Sequence, residues 1–155
     1  MTESAPSGAE LPNYDTDRDS AEGLLLTRTS GFAGAPASAH QHWVAALGPT
    51  ELPSQVQVRV SATLQGYERG SGELEFVIQR CSADLGTCEM LGSATKGFNI
   101  GGSGGFKTVG TNVSLSGDLT ATMPTLVFTV VALDSSERDL WLAYDTDDHD
   151  ARIRF

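Results

Sequence analysis

The chain is short of positive charge: ten Lys and Arg stand against twenty Asp and Glu, a formal charge of −10 over 155 residues. An acidic excess of that size repels nucleic-acid phosphates and anionic membranes at long range, so no nucleic acid is expected as a partner. The sequence also lacks any apolar run of eighteen residues, which excludes a helix inserted in a membrane. The opening MTESAPSGAELP has neither the basic nor the apolar stretch of a secretory signal. With three His and no strand-to-helix Gly-x-Ser-x-Gly elbow, the chain is poor in groups for nucleophilic catalysis, and no catalytic residue is assigned. Two acids that would suit glycoside hydrolysis can always be drawn from twenty, so such a pair carries no information. Aromatics are few: two Trp, three Tyr and six Phe. A core takes most of the Phe, and a broad aromatic platform is not expected.

Cysteine is nearly absent too. Cys81 and Cys88 bracket turn residues in RCSADLGTCEM, and a lone C-x6-C lacks the two further ligands a zinc site needs. If the flanks form a hairpin, the thiols come within bonding reach, and closing so short a loop stabilises by about 2.5 kcal/mol. A disulfide implies an oxidising destination: extracellular, a cell surface or the surface of a virus-like particle. The competing expectation is two buried thiols in a cytosolic protein.

What the sequence does have is alternation. Residues 1–12 are rich in Ser, Ala, Pro, Gly and Glu and form a tail, flexible or docked, ahead of a single domain over 13–155. QVQVRVSATLQG puts Val56, Val58, Val60, Ala62 and Leu64 on one face and Gln55, Gln57, Arg59, Ser61 and Thr63 on the other. ELEFVIQRC repeats the pattern through Leu74, Phe76 and Ile78. GLLLTRT, HWVAAL, CEMLGSATKGF, FKTVGTNVSLSG, DLWLAYD and ARIRF are further strand-like runs, with NIGGSGG as a flexible loop between two of them. TLVFTVVAL, from Thr125 to Leu133, is apolar on both faces and should be a central strand covered on both sides. No window carries a helical stripe. Eight or nine short strands with turn residues between them point to an all-β fold, an antiparallel β-sandwich of jelly-roll type.

Tyr-Asp-Thr-Asp occurs twice, in NYDTDRDSAEGLLL and in LWLAYDTDDHDARIRF. Asp15, Asp17 and Asp19 alternate like the start of an EF-hand loop, but Ser20 replaces the invariant Gly and Leu26 the bidentate Glu, so an EF-hand is rejected. In a jelly roll the first and last strands lie close. Asp15, Asp17 and Asp19 could then meet Asp145 and Asp147 around a calcium ion, which takes six to eight oxygens. The alternative is that Asp and Thr cap turns while Arg neutralises the rest.

The combination of NYDTDRDSAEGLLL, a Trp-containing second strand, a Cys-bracketed turn and the closing LWLAYDTDDHDARI resembles β-sandwich domains appended to secreted, surface-associated bacterial proteins. That resemblance implies a fold and an exposed setting but no single activity. Two roles follow as expectations. One is a noncatalytic structural or binding module, serving adhesion, assembly or decoration through contacts with other protein subunits. The other is a carbohydrate-binding module recognising a surface glycan, with Trp43, Tyr67, Trp141 and Tyr144 as candidate stacking residues. Trp141 and Tyr144 fall on opposite faces of a regular strand. His40 and His42 share one side of a strand, yet a metal would need His149 or a distant Asp as third ligand.

Overall fold

The computed structural model describes residues 2–3, 24–46, 51–67, 69–101, 105–117, 123–143 and 152–155. Ten strands follow one another: β1 (Thr2–Glu3), β2 (Leu24–Leu26), β3 (His40–Ala46), β4 (Gln55–Leu64), β5 (Gly70–Cys81), β6 (Cys88–Ile100), β7 (Lys107–Ser114), β8 (Thr125–Ala132), β9 (Leu140–Ala143) and β10 (Arg152–Arg154). Only two single 3-10 turns, Ala37–Ala39 and Gln65–Tyr67, interrupt them among the described residues. The strands form two antiparallel sheets, as the alternation predicts. The first runs β1-β3-β8-β5-β6. In the second, β4 pairs with β7 along one edge and with β9 and β10 along the other, and β2 follows β9.

Strand boundaries differ from the sequence reading where side chains take other work. The run from Gly23 to Thr29 yields only Leu24–Leu26, because Arg28 turns to Asp139 (Nε to Oδ1, 3.1 Å) and Thr29 makes an isolated parallel bridge to Leu133. The end of the chain gives two strands, as DLWLAYD and ARIRF lead one to expect, and both pair with β4, Ala143 with Ser61 and Arg152 with Arg59.

Alternation fixes the core. Val56, Val58, Val60, Ala62 and Leu64 of β4 face Leu74, Phe76 and Ile78 of β5 and Leu126, Phe128 and Val130 of β8, and all are buried. Each Val, Leu, Ile or Phe among them contributes about 1.5–3 kcal/mol by leaving water. Trp43 joins them: it is 4% exposed and stacks on Phe128 with ring centroids 5.3 Å apart. β8 pairs with β3 on one side and β5 on the other and is buried along its whole length, the central strand expected from its two apolar faces.

Two inward positions break the apolar rule, Gln41 of β3 and Arg80 of β5. Arg80 continues the inward row after Ile78, is wholly buried, and donates from Nε to the Met123 carbonyl at 2.7 Å. A charge-assisted bond of that kind ties the entry to β8 onto β5.

The two sheets close against each other along β6 and β7. Ser116 N donates to Leu91 O at 2.8 Å and Lys107 Nζ to Asn99 O at 3.2 Å. Gly92 makes the approach possible, since a Cβ there would run into the Ser114 carbonyl. Where β5 turns into β6, Cys81 and Cys88 face each other in register and form a disulfide. The loop they close is held by its own bonds: Ser82 Oγ and Gly86 N both donate to Asp84 Oδ1, at 2.6 and 2.9 Å.

Candidate ligand-binding face

The sandwich has two outer faces, and the strand registers decide what each presents. On the first sheet the outward row of β8 is Thr125, Val127, Thr129 and Val131, flanked by Val77 of β5, and all five are buried. The segment between β2 and β3 crosses this face, where Phe32 N donates to Glu75 Oε1 at 2.7 Å. What stays open is a hollow of about 180 Å³ whose walls include Phe32, His40, His42 and Leu85. His40 and His42 lie with ring centroids 6.2 Å apart, and His40 Nδ1 sits 3.1 Å from the Pro36 carbonyl. Burial, and then the neighbouring His40, hold His42 below the usual histidine range, which keeps it neutral near pH 7.

The second sheet is open over part of its outer face, with Ser61 and Thr63 of the outward row buried. Its outward positions on β4 are Gln55, Gln57, Arg59, Ser61 and Thr63, and register pairs them with Ser114, Asn112, Gly110 and Thr108 of β7. From the other edge Arg154 lies opposite Gln57, and Trp141 opposite Thr63. Gln55, Gln57, Asn112 and Arg154 are exposed, and Arg59 and Trp141 are half-buried. Leu25, the partner of Trp141 on β2, completes the row. Gly110 lets β7 draw close here: a Cβ would come within 2.8 Å of the Val58 carbonyl and 3.0 Å of Arg59 Cβ. Thr63 Oγ1 and Trp141 Nε1 are buried side by side with no hydrogen-bond partner among the described residues.

A third concavity opens at one end of the sandwich, a polar cleft of about 570 Å³ lined by Arg69, Ser71, Asn99, Lys107 and Glu137 among others. Much of its hydrogen-bonding capacity is spent internally. Glu137 Oε2 accepts from Ser71 N at 3.0 Å and Lys107 donates to the Asn99 backbone.

The residues singled out from sequence are therefore dispersed. Trp43 is a core side chain facing away from both outer surfaces, because its strand position shares the inward row with Gln41 and Ala45. Trp141 reaches the outer face of the second sheet. Tyr67 ends the 3-10 turn that follows β4, and only its backbone is described. Tyr144 and the calcium candidates Asp15, Asp17, Asp19, Asp145 and Asp147 lie outside the described residues. β2 begins opposite the end of β9, Leu24 pairing with Leu142. Among the described residues, no cluster of three or more His, Cys, Asp or Glu is placed to hold a metal. Sequence reasoning missed Asn112 and Arg154, whose place beside Gln57 depends on which strands pair with β4.

No protein-family model matches the chain, and no curated protein is similar to it in sequence. Solved structures are similar in fold. A carbohydrate-binding module specific for non-crystalline cellulose, CBM28, superposes with a TM-score of 0.51 at 7% identity, over 97% of this chain and 86% of that one. The CBM22-1-GH10 modules of Clostridium thermocellum xylanase 10B, complexed with xylohexaose, match with a TM-score of 0.43 at 11% identity, over 84% of this chain and 21% of that one. A CBM35 module in complex with a glucuronic acid-containing disaccharide matches with a TM-score of 0.43 at 13% identity, over 99% and 94%. The likeness to CBM28 shows a shared β-sandwich fold.

Proposed function

We propose that the protein is a noncatalytic carbohydrate-binding module and that the outer face of its second sheet receives the glycan. The observation that carries this reading is the open row of Gln55, Gln57, Arg59, Asn112 and Arg154 with Trp141 at one end. A sugar ring offers hydroxyls around its rim and apolar C–H groups on its flat sides. Planar amides and guanidinium groups match adjacent hydroxyls, and an indole stacks on the C–H side. The row rises from one rigid sheet, so little ordering entropy opposes binding. The cellulose-binding module of the same fold supports this reading above assembly with protein subunits.

The disulfide supports an extracellular or surface location, where a glycan partner would be met. Titration calorimetry against soluble glucans, xylans and uronate polymers tests the function. Saturable heat with at least one polymer is the expected result, and silence with all of them removes the reading in favour of a structural module.

A further inference from the structure

We infer that the hollow left uncovered on the outer face of the first sheet is a second binding site, one that takes a single uncharged aromatic ring of the phenol type. It lies on the other face of the sandwich from the glycan row and does not depend on it. Its floor is Val127 and Thr129 of β8. His40 and His42 of β3 stand on one side, Gln79 of β5 with Leu85 and Cys88 on the other, and Phe32 completes the wall.

Size decides first. The hollow holds about 180 Å³, close to the roughly 150 Å³ of an apolar cavity that binds one benzene ring and below the roughly 300 Å³ at which pockets for larger ligands begin. Chemistry narrows the class further. None of the residues lining it is Asp, Glu, Lys or Arg, and burial holds His42 neutral near pH 7. An ionic ligand would lose hydration there and meet no opposite charge, and a sugar would press a rim of hydroxyls against Phe32, Leu85 and Val127. A phenol instead brings a flat apolar body for those side chains and the imidazoles, with one hydroxyl for Gln79 or Thr129.

Leu85 marks the hollow as more than a gap in packing. Its φ of 61° is a left-handed conformation that a bulky side chain rarely adopts and that glycine takes without strain. The loop holds it there: Leu85 N donates to Ser82 O at 2.9 Å, Gly86 N donates to Asp84 Oδ1 at 2.9 Å, and the disulfide closes the base. Burial does not offset that strain, since Leu85 stays 40% exposed. Met90, 49% exposed, faces outward as the cross-strand partner of Gln79. Among the described residues three large apolar side chains stand exposed, and two of them are these. A strained, exposed leucine and a methionine beside a ring-sized hollow are what an aromatic ligand would cover, and the methionine sulfur contacts a ring favourably.

Phenol, cyclohexanol and benzoate, each titrated into the intact chain and followed by saturation-transfer NMR, test the site. Phenol should saturate, and the other two should bind at least about tenfold more weakly. Leu85→Gly should weaken phenol binding about tenfold while melting no lower than wild type, because glycine adopts that φ freely. Saturating phenol should leave the glycan titrations unchanged, so the two sites stand or fall separately. No saturable phenol binding, equal affinity for phenol and cyclohexanol, or wild-type phenol affinity in Leu85→Gly overturns the aromatic site. A lower melt for Leu85→Gly assigns Leu85 to stability and overturns it too. Tighter binding of N-acetyl-tyrosinamide than of phenol would make the hollow a docking point for a protein partner instead.

Discussion

The two tryptophans occupy opposite situations on one scaffold. Trp43 points inward from β3, 4% exposed and stacked on Phe128, while Trp141 points outward from β9 beside a row of amides and arginines. The sheets that carry them differ in the same way. The first sheet's outer face is crossed by the segment after β2 and keeps Val77, Thr129 and Val131 from water, whereas the second leaves Gln55, Gln57 and Asn112 open. A sandwich needs only its inner faces to fold. A bare polar outer face is thus free to bind, and a covered one belongs to stability.

The largest effect should come from Trp43→Ala. Emptying that place against Phe128 should cost about 3–5 kcal/mol, read from chemical denaturation. Trp141→Ala should cost far less, and an equal loss would erase the distinction between the two. Next in size, Cys81→Ser with Cys88→Ser should lower stability by about 2.5 kcal/mol, the loop-closure entropy returned to the unfolded chain. A reductant should lower the melt of the natural protein alone.

Histidine 42 sharpens the contrast through pH. Its folded state binds a proton less readily than its unfolded state, so the stability present above the usual histidine value near 6.5 is lost as pH falls through the lower folded value. Melts at pH 7.5 and 5 should show this fall, and His42→Gln should reduce it. The smallest effects belong to the open face. Gln57→Ala and Asn112→Ala should change stability by less than about 0.5 kcal/mol, while weakening glycan affinity several-fold.

The fold was legible because period-2 alternation is dictated by the pleat and by burial on one side. β4 and β8 show this most plainly: β4 alternates, with a wet face over Gln55–Arg59, and β8 is buried throughout and lies at the sheet centre. The disulfide was legible for a local reason, since two cysteines flanking turn residues fall opposite each other in a hairpin. Arg80 was not, because its place in the inward row after Ile78 conflicts with its charge, and a partner such as the Met123 carbonyl is visible only in the folded structure. The candidate face was half legible. Gln55, Gln57 and Arg59 alternate visibly, but Arg154 and Asn112 come beside them through pairings across about a hundred and about fifty residues of chain, which no local pattern encodes. The fate of each Trp was equally hidden: aromatic character raises the chance of burial, and only register says which face a strand position takes.

Affinity gel electrophoresis, with wild type and Trp141→Ala run side by side through gels containing soluble polysaccharides, tests the central claim most directly. Wild type should be retarded by at least one polymer, and the variant should migrate there as in a plain gel while melting within about 1 kcal/mol of wild type. Equal retardation of both proteins would place the glycan elsewhere on the molecule.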